Sequence, residues 1–167
     1  TSLEAYLAYA DLDTWMELTE EMYQSIAKMI GKDVYHWNGC DIDLSKSFRR
    51  VTMCEVIKEV TGIDFKNITD LDECLKLAEE HHIELEEHEK TYGHIVSKFF
   101  EEYGEKTLIQ PTFLCEHPLE ISPLTKKNPD DPRFVDRFEL FIAGTELANA
   151  YTELNDPIDQ LERFEAQ

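Results

Sequence analysis

Arg137-Phe-Glu-Leu-Phe-Ile-Ala-Gly-Thr-Glu-Leu-Ala-Asn-Ala-Tyr-Thr-Glu-Leu-Asn-Asp156 alternates like a pair of strands, yet carries acidic residues among apolar ones. Residues 137–142 and 145–154 read as two strands around Ala143-Gly144, a tight hairpin turn. In the first strand Phe138, Leu140 and Ile142 point one way, Glu139 and Phe141 the other. A two-residue turn at Ala143-Gly144 pairs Phe141 with Glu146 and sets Glu139 and Glu146 diagonally on one face. Two carboxylates that close repel unless positive charge lies between them. An oxygen-rich site of this kind suits Mg²⁺ with bound phosphates. The second strand breaks parity, because the core-like Leu147 and Ala148 are adjacent. A β-bulge near 147–148 resolves the conflict and brings Asn149, Tyr151 and Glu153 onto the face of Glu146. Spacing alone leaves two readings open: a cation-binding sheet face, or a solvated acidic one.

Working back from the hairpin, residues 116–133 carry Pro118, Pro123, Pro129 and Pro132 and read as a loop. Thr107 to Cys115 is β-rich, with Pro111 at an edge or bend. A helix is expected over about 92–103, with Ile95, Val96, Phe99, Phe100 and Tyr103 and a stop at Gly104. Another begins at Thr69 or Asp70, with Leu71, Cys74, Leu75 and Ala78 on one face. Thr52 and Glu55 make a capping box for a short helix ending at Gly62. Together these suggest a compact helical insertion at about 63–105. His81, His82, His88 and His94 lie there among glutamates, but no metal-ligand spacing converges, so a wet acidic face is expected.

Residues 33–50 suggest a hairpin around Asn38-Gly39, and residues 13–30 an amphipathic helix stopped by Gly31. Leu3, Tyr6, Leu7 and Tyr9 suggest a strand over 1–11, and residues 156–167 a helix with Pro157 near its first position. A strand in progress at one end and an uncapped helix at the other are what an excised fragment would carry.

The composition bounds the function. Thirty-six Asp and Glu against 16 Lys and Arg give a net charge of −20, which argues against a free-standing nucleic-acid binder. No apolar run approaches the ~18–20 residues of a membrane helix. Cys40, Cys54, Cys74 and Cys115 stand singly, as in a reducing cytoplasm.

Two stretches carry a resemblance. Glu120-Ile-Ser-Pro-Leu-Thr-Lys-Lys-Asn-Pro-Asp-Asp-Pro-Arg-Phe134 and the 137–156 hairpin resemble the last catalytic strands of class II lysyl-tRNA synthetases and the stretch before them. Leu3-Glu-Ala-Tyr-Leu-Ala-Tyr-Ala-Asp11 is similar to the strand leaving that family's second signature motif. The resemblance implies an α+β fold: an antiparallel sheet with flanking helices and the helical insertion. It implies a lysine–tRNA ligase that activates lysine with ATP to lysyl-adenylate and transfers it to tRNA(Lys), in a cytoplasmic homodimer with no membrane contact. It casts Glu139 and Glu146 as ligands of the Mg²⁺ that holds ATP phosphates. It casts Glu4, Tyr6, Asn149, Tyr151 and Glu153 as the lysine pocket. Ala5 and Tyr151 depart from the family's usual aromatic residues. The motif arginines that bind ATP are expected before Thr1 and after Gln167, which would make this chain a piece of a catalytic domain, inactive alone. The alternative is a truncated synthetase-like interaction or regulatory module without ligase activity; a paralogue ligating lysine to a protein ranks below both.

Overall fold

Asp11 starts the first helix: its carboxylate accepts from Thr14 N at 2.9 Å, in the way N-cap residues satisfy the free amides of a first turn. The computed structural model describes residues 1–165. Helix α1 (Leu12–Ile30) runs until Gly31 turns left-handed at φ 74°. The expected hairpin follows as β1 (Val34–Trp37) and β2 (Cys40–Asp43), with Asn38 and Gly39 both at positive φ.

Strand β3 (Arg49–Thr52) leads into α2 (Met53–Thr61), which has the expected capping box. Helices α3 (Leu71–Glu80) and α4 (Tyr92–Phe99) follow. Helix α4 does not end at Gly104 as an α-helix. After Phe99 it widens into a π turn, Phe100–Gly104, and then a 3-10 turn, Glu105–Thr107. Gly104 is required here for space, since a Cβ would lie 2.8 Å from Phe100 and 2.9 Å from Val56. This turn delays β4 to Thr112–Pro118, so the strand starts later and runs further than the prolines suggest. Strands β5 (Phe134–Ile142) and β6 (Thr145–Tyr151) and helix α5 (Pro157–Glu165) complete the chain. The expected continuation of that helix through Ala166 and Gln167 lies outside the described residues.

The main sheet has the order β3-β4-β5-β6. It is not wholly antiparallel. β3 and β4 are parallel because the whole α2–α4 layer connects them as one long crossover, while β4–β5 and β5–β6 are antiparallel. Each face of the sheet has its own core. Ile57, Phe65, Ile95, Phe99, Leu114 and Phe141 pack under the helical layer. Met16, Ile42, Phe48, Phe113, Phe138 and Leu140 pack under α1 and the β1–β2 hairpin.

The strand expected over 1–11 is absent. Those residues are coil with a turn at Tyr9 (φ 59°), and Leu3, Tyr6 and Tyr9 are 77%, 83% and 108% exposed. A strand needs an edge to pair with and a face to bury, and no strand of the described residues offers this segment either.

Candidate functional site

The β5–β6 hairpin turns through Ala143 (φ 50°) and Gly144 (φ 66°), both left-handed as a two-residue turn requires. Asn38 Nδ2 donates to Ala143 O at 3.1 Å, and Ala143 N donates to Ile109 O at 2.9 Å, which hold the turn down. Beyond it Phe141 pairs with Glu146, but Leu140 pairs with Ala148. Leu147 is the extra residue of a bulge, where the parity conflict predicts one. The register then sets Asn149 opposite Glu139 and Tyr151 opposite Arg137. Paired residues share a face, so Arg137, Glu139, Glu146, Asn149 and Tyr151 all stand on one side of the hairpin. Glu153 continues that alternation just past β6, in a bridge with Thr125.

A cleft of about 370 Å³ opens between this face and the π turn. Met53, Phe100 and Phe141 are among its apolar lining; Glu101, Glu105, His117, Arg137, Glu139 and Glu146 are its charged and titratable lining. Glu139 is its best-held group, with a side chain 12% exposed. Arg137 Nη2 donates to Oε1 at 2.5 Å, and His117 Nε2 lies 3.3 Å from Oε2. That last separation makes an ion pair only with a protonated imidazole, and it is not a hydrogen bond: neither ring nitrogen of His117 has a hydrogen-bond partner. Arg137 also donates through Nε to Asn149 Oδ1 at 3.2 Å and through Nη1 to Ser122 Oγ at 3.0 Å.

The two carboxylates differ in character. Burial pushes the Glu139 carboxyl up, but His117 and Arg137 outweigh it and hold the group below its usual range. Burial, then the charge of Glu139, push the Glu146 carboxyl above its usual range. A hard cation between them would relieve that repulsion, so the donor chemistry fits Mg²⁺. Among the described residues no three His, Cys, Asp or Glu converge as a complete metal cage. Two carboxylates suit an ion that completes its shell with water and phosphate oxygens.

The family model for tRNA synthetases class II (D, K and N) matches residues 1–167. The chain belongs to this family. Lysine–tRNA ligases of Lactococcus lactis subsp. cremoris (strain MG1363) and Staphylococcus epidermidis (strain ATCC 12228 / FDA PCI 1200) are each 55% identical to it over 168 residues. That of Mycoplasma capricolum subsp. capricolum is 51% identical. Each alignment covers 100% of this chain and 34% of the relative, so the chain spans about a third of their length.

In this class II synthetase chain the expected site residues fall into two groups. Glu139, Glu146, Asn149 and Tyr151 share the hairpin face, with Glu153 at its end. Glu4 and Tyr6 lie on the exposed N-terminal coil and make no side-chain hydrogen bond or ion pair among the described residues. His81, expected on a wet face, instead packs edge-on against Phe99 and Tyr103, with ring centroids 5.2 and 5.6 Å away. Sequence reasoning missed His117, Arg137, Glu101 and Glu105 as cleft residues. Arg137 was within reach, since it shares the parity of Glu139. His117 was not, because its placement depends on Glu116 at φ 54° and a register shift between Cys115 and His117.

Proposed function

We propose that this chain belongs to a lysine–tRNA ligase and supplies half of its active site. The observation that carries the reading is the bulge at Leu147, which puts Asn149 and Tyr151 on the same face of the hairpin as Glu139 and Glu146, the two carboxylates of that face that line the cleft. The names of the relatives support lysine as the amino acid. Glu139 and Glu146 are the residues that would hold Mg²⁺, which would supply positive charge for the phosphates of ATP. Asn149, Tyr151 and Glu153 receive lysine, joined by Glu4 and Tyr6 when the N-terminal coil finds a sheet partner in the rest of the parent. Carboxylates in a closed site match the lysine ammonium, and analogues lacking its charge leave them unpaired.

In the reaction a carboxylate oxygen of lysine attacks the α-phosphorus of ATP. One P–O bond forms, the bond to pyrophosphate breaks, and lysyl-adenylate remains for transfer to the 3′ end of tRNA(Lys). Mg²⁺, when bound, neutralises phosphate charge. The chain's own contribution is positioning: Arg137 orients Glu139, and the hairpin fixes the spacing between the cation residues and the lysine residues. The motif arginines, the tRNA-gripping surface and the homodimer interface belong to the remaining two-thirds of a cytoplasmic parent. No helix of the described residues is long and apolar enough to cross a membrane.

Lysine-dependent ATP–pyrophosphate exchange, measured on this chain and on the full-length parent, tests the reading. Exchange by the parent and none by the chain is expected. A parent without lysine-dependent exchange would favour an interaction module instead.

A further inference from the structure

His117 is a buried polar side chain that the proposed reaction does not use. It is 1% exposed, and neither Nδ1 nor Nε2 has a hydrogen-bond partner. Such a group costs stability, and a native structure keeps it for a reason. The strand is also disturbed to place it. Cys115 pairs with Phe138 and His117 with Val135, so Glu116 alone faces Asp136 and Arg137, and Glu116 takes a left-handed φ of 54°. A regular ladder would hold His117 on the side of Cys115, away from Glu139. The irregularity brings the imidazole to the cleft, with Nε2 3.3 Å from Glu139 Oε2.

The other oxygen of the same carboxylate is already taken. Arg137 Nη2 holds Oε1 at 2.5 Å and is itself braced by Asn149 and Ser122. Arg137 thus holds one oxygen by a hydrogen bond, while the other lies near His117 Nε2 without a bond to it, and the carboxylate lines the cleft. We propose that His117 is a positioning residue for Glu139, donating from Nε2 to Oε2 once the carboxylate turns toward a cation and fixing the plane in which Glu139 presents its free lone pairs. This rests on the reading of Glu139 as a Mg²⁺ ligand. A neutral imidazole with its hydrogen on Nε2 suffices, and Nδ1 then carries no hydrogen to satisfy.

The test uses the full-length parent, Mn²⁺ as the probe, and a non-hydrolysable ATP analogue, with free Mn²⁺ read by electron paramagnetic resonance. His117→Leu keeps the bulk and removes the donor; His117→Gln restores an N–H donor near the Nε2 position. His117→Leu is expected to weaken Mn²⁺ binding about tenfold or more, with His117→Gln rescuing most of that loss. Lysine affinity, measured by calorimetry on the same proteins, is expected to stay within about threefold, since the loss is specific to the cation. Mn²⁺ binding by His117→Leu equal to wild type would overturn the proposal, as would equal weakening of Mn²⁺ and lysine. If His117→Leu lacks a cooperative thermal transition, His117→Asn replaces it, because the shorter amide stops near the Nδ1 position; wild-type Mn²⁺ affinity in His117→Asn overturns the proposal equally. Glu139→Gln separates the two levels. Unchanged Mn²⁺ binding there overturns the reading of Glu139 and the inference with it. A weakened Glu139→Gln beside an unchanged His117→Leu overturns the inference alone.

Discussion

Glu139 stands directly opposite Asn149 across the β5–β6 ladder. One guanidinium joins them: Arg137 donates to Glu139 Oε1 at 2.5 Å and to Asn149 Oδ1 at 3.2 Å. The residue assigned to the cation and the residue assigned to lysine therefore share a rigid five-donor fork.

Arg137→Lys in the full-length parent tests that sharing. An ammonium cannot hold both oxygens in one plane. The KM values for ATP and lysine are expected to rise together, each about fivefold to tenfold, the order expected for losing a charge-assisted hydrogen bond. Steady-state exchange kinetics check this, and a rise in one constant alone contradicts it.

Glu139 and Glu146 are expected to respond to neutralisation with opposite signs. Glu139 is held below its usual range, so its contribution to stability is present above the ordinary glutamate pKa and lost as pH falls through its lowered value. Glu146 is held above its usual range, so its contribution is present below the ordinary pKa and lost as pH rises through the raised value. At pH 7 Glu139→Gln is expected to cost about 1–3 kcal/mol by leaving Arg137 less well paired. Glu146→Gln is expected to be neutral or to gain a few tenths of a kcal/mol, because solvent screens the repulsion it removes. As pH falls, the Glu146 difference shrinks first, through its raised value, and the Glu139 difference later, through its lowered one. Calorimetric melting at pH 7 and pH 3 measures this; destabilisation by both variants at pH 7 would sink the assignment.

The start of α2 offers a test free of the site. Thr52 Oγ1 accepts from Glu55 N at 3.2 Å, and Glu55 Oε2 accepts from Thr52 N at 2.9 Å. Thr52→Ala is expected to cost about 1 kcal/mol in urea unfolding, with no change in slope. A cost near zero would mean that the box forms without stabilising the helix.

Glu153→Gln in the parent addresses lysine recognition. The KM for lysine is expected to rise about tenfold or more, while the KM for ATP stays near wild type, because the charge lost is the one proposed to meet the substrate ammonium. An unchanged KM for lysine removes Glu153 from the pocket.

Local chemistry made much of this fold readable. Gly31, Asn38-Gly39 and the Thr52–Glu55 box each act within a few residues, and each appears where the sequence suggests it. The bulge at Leu147 was readable for a similar reason: two adjacent core residues cannot share a face of a regular strand. What escaped depends on distant partners. The apolar alternation of Leu3, Tyr6, Leu7 and Tyr9 predicts a strand, but pairing needs a neighbouring edge that spacing does not reveal. The parallel β3–β4 pair follows from the length of the crossover rather than from either strand. The left-handed backbone at Glu116, on which His117 depends, sits at a residue with no intrinsic preference for it.

The most direct test of the shared face is diffraction from the full-length parent with Mn²⁺, a non-hydrolysable ATP analogue and lysine. The anomalous peak is expected within about 2.5 Å of carboxylate oxygens of both Glu139 and Glu146. The lysine side chain is expected on the same side of the hairpin, its ammonium toward Glu153. A peak remote from both carboxylates, or lysine on the opposite side of β5–β6, would contradict the account.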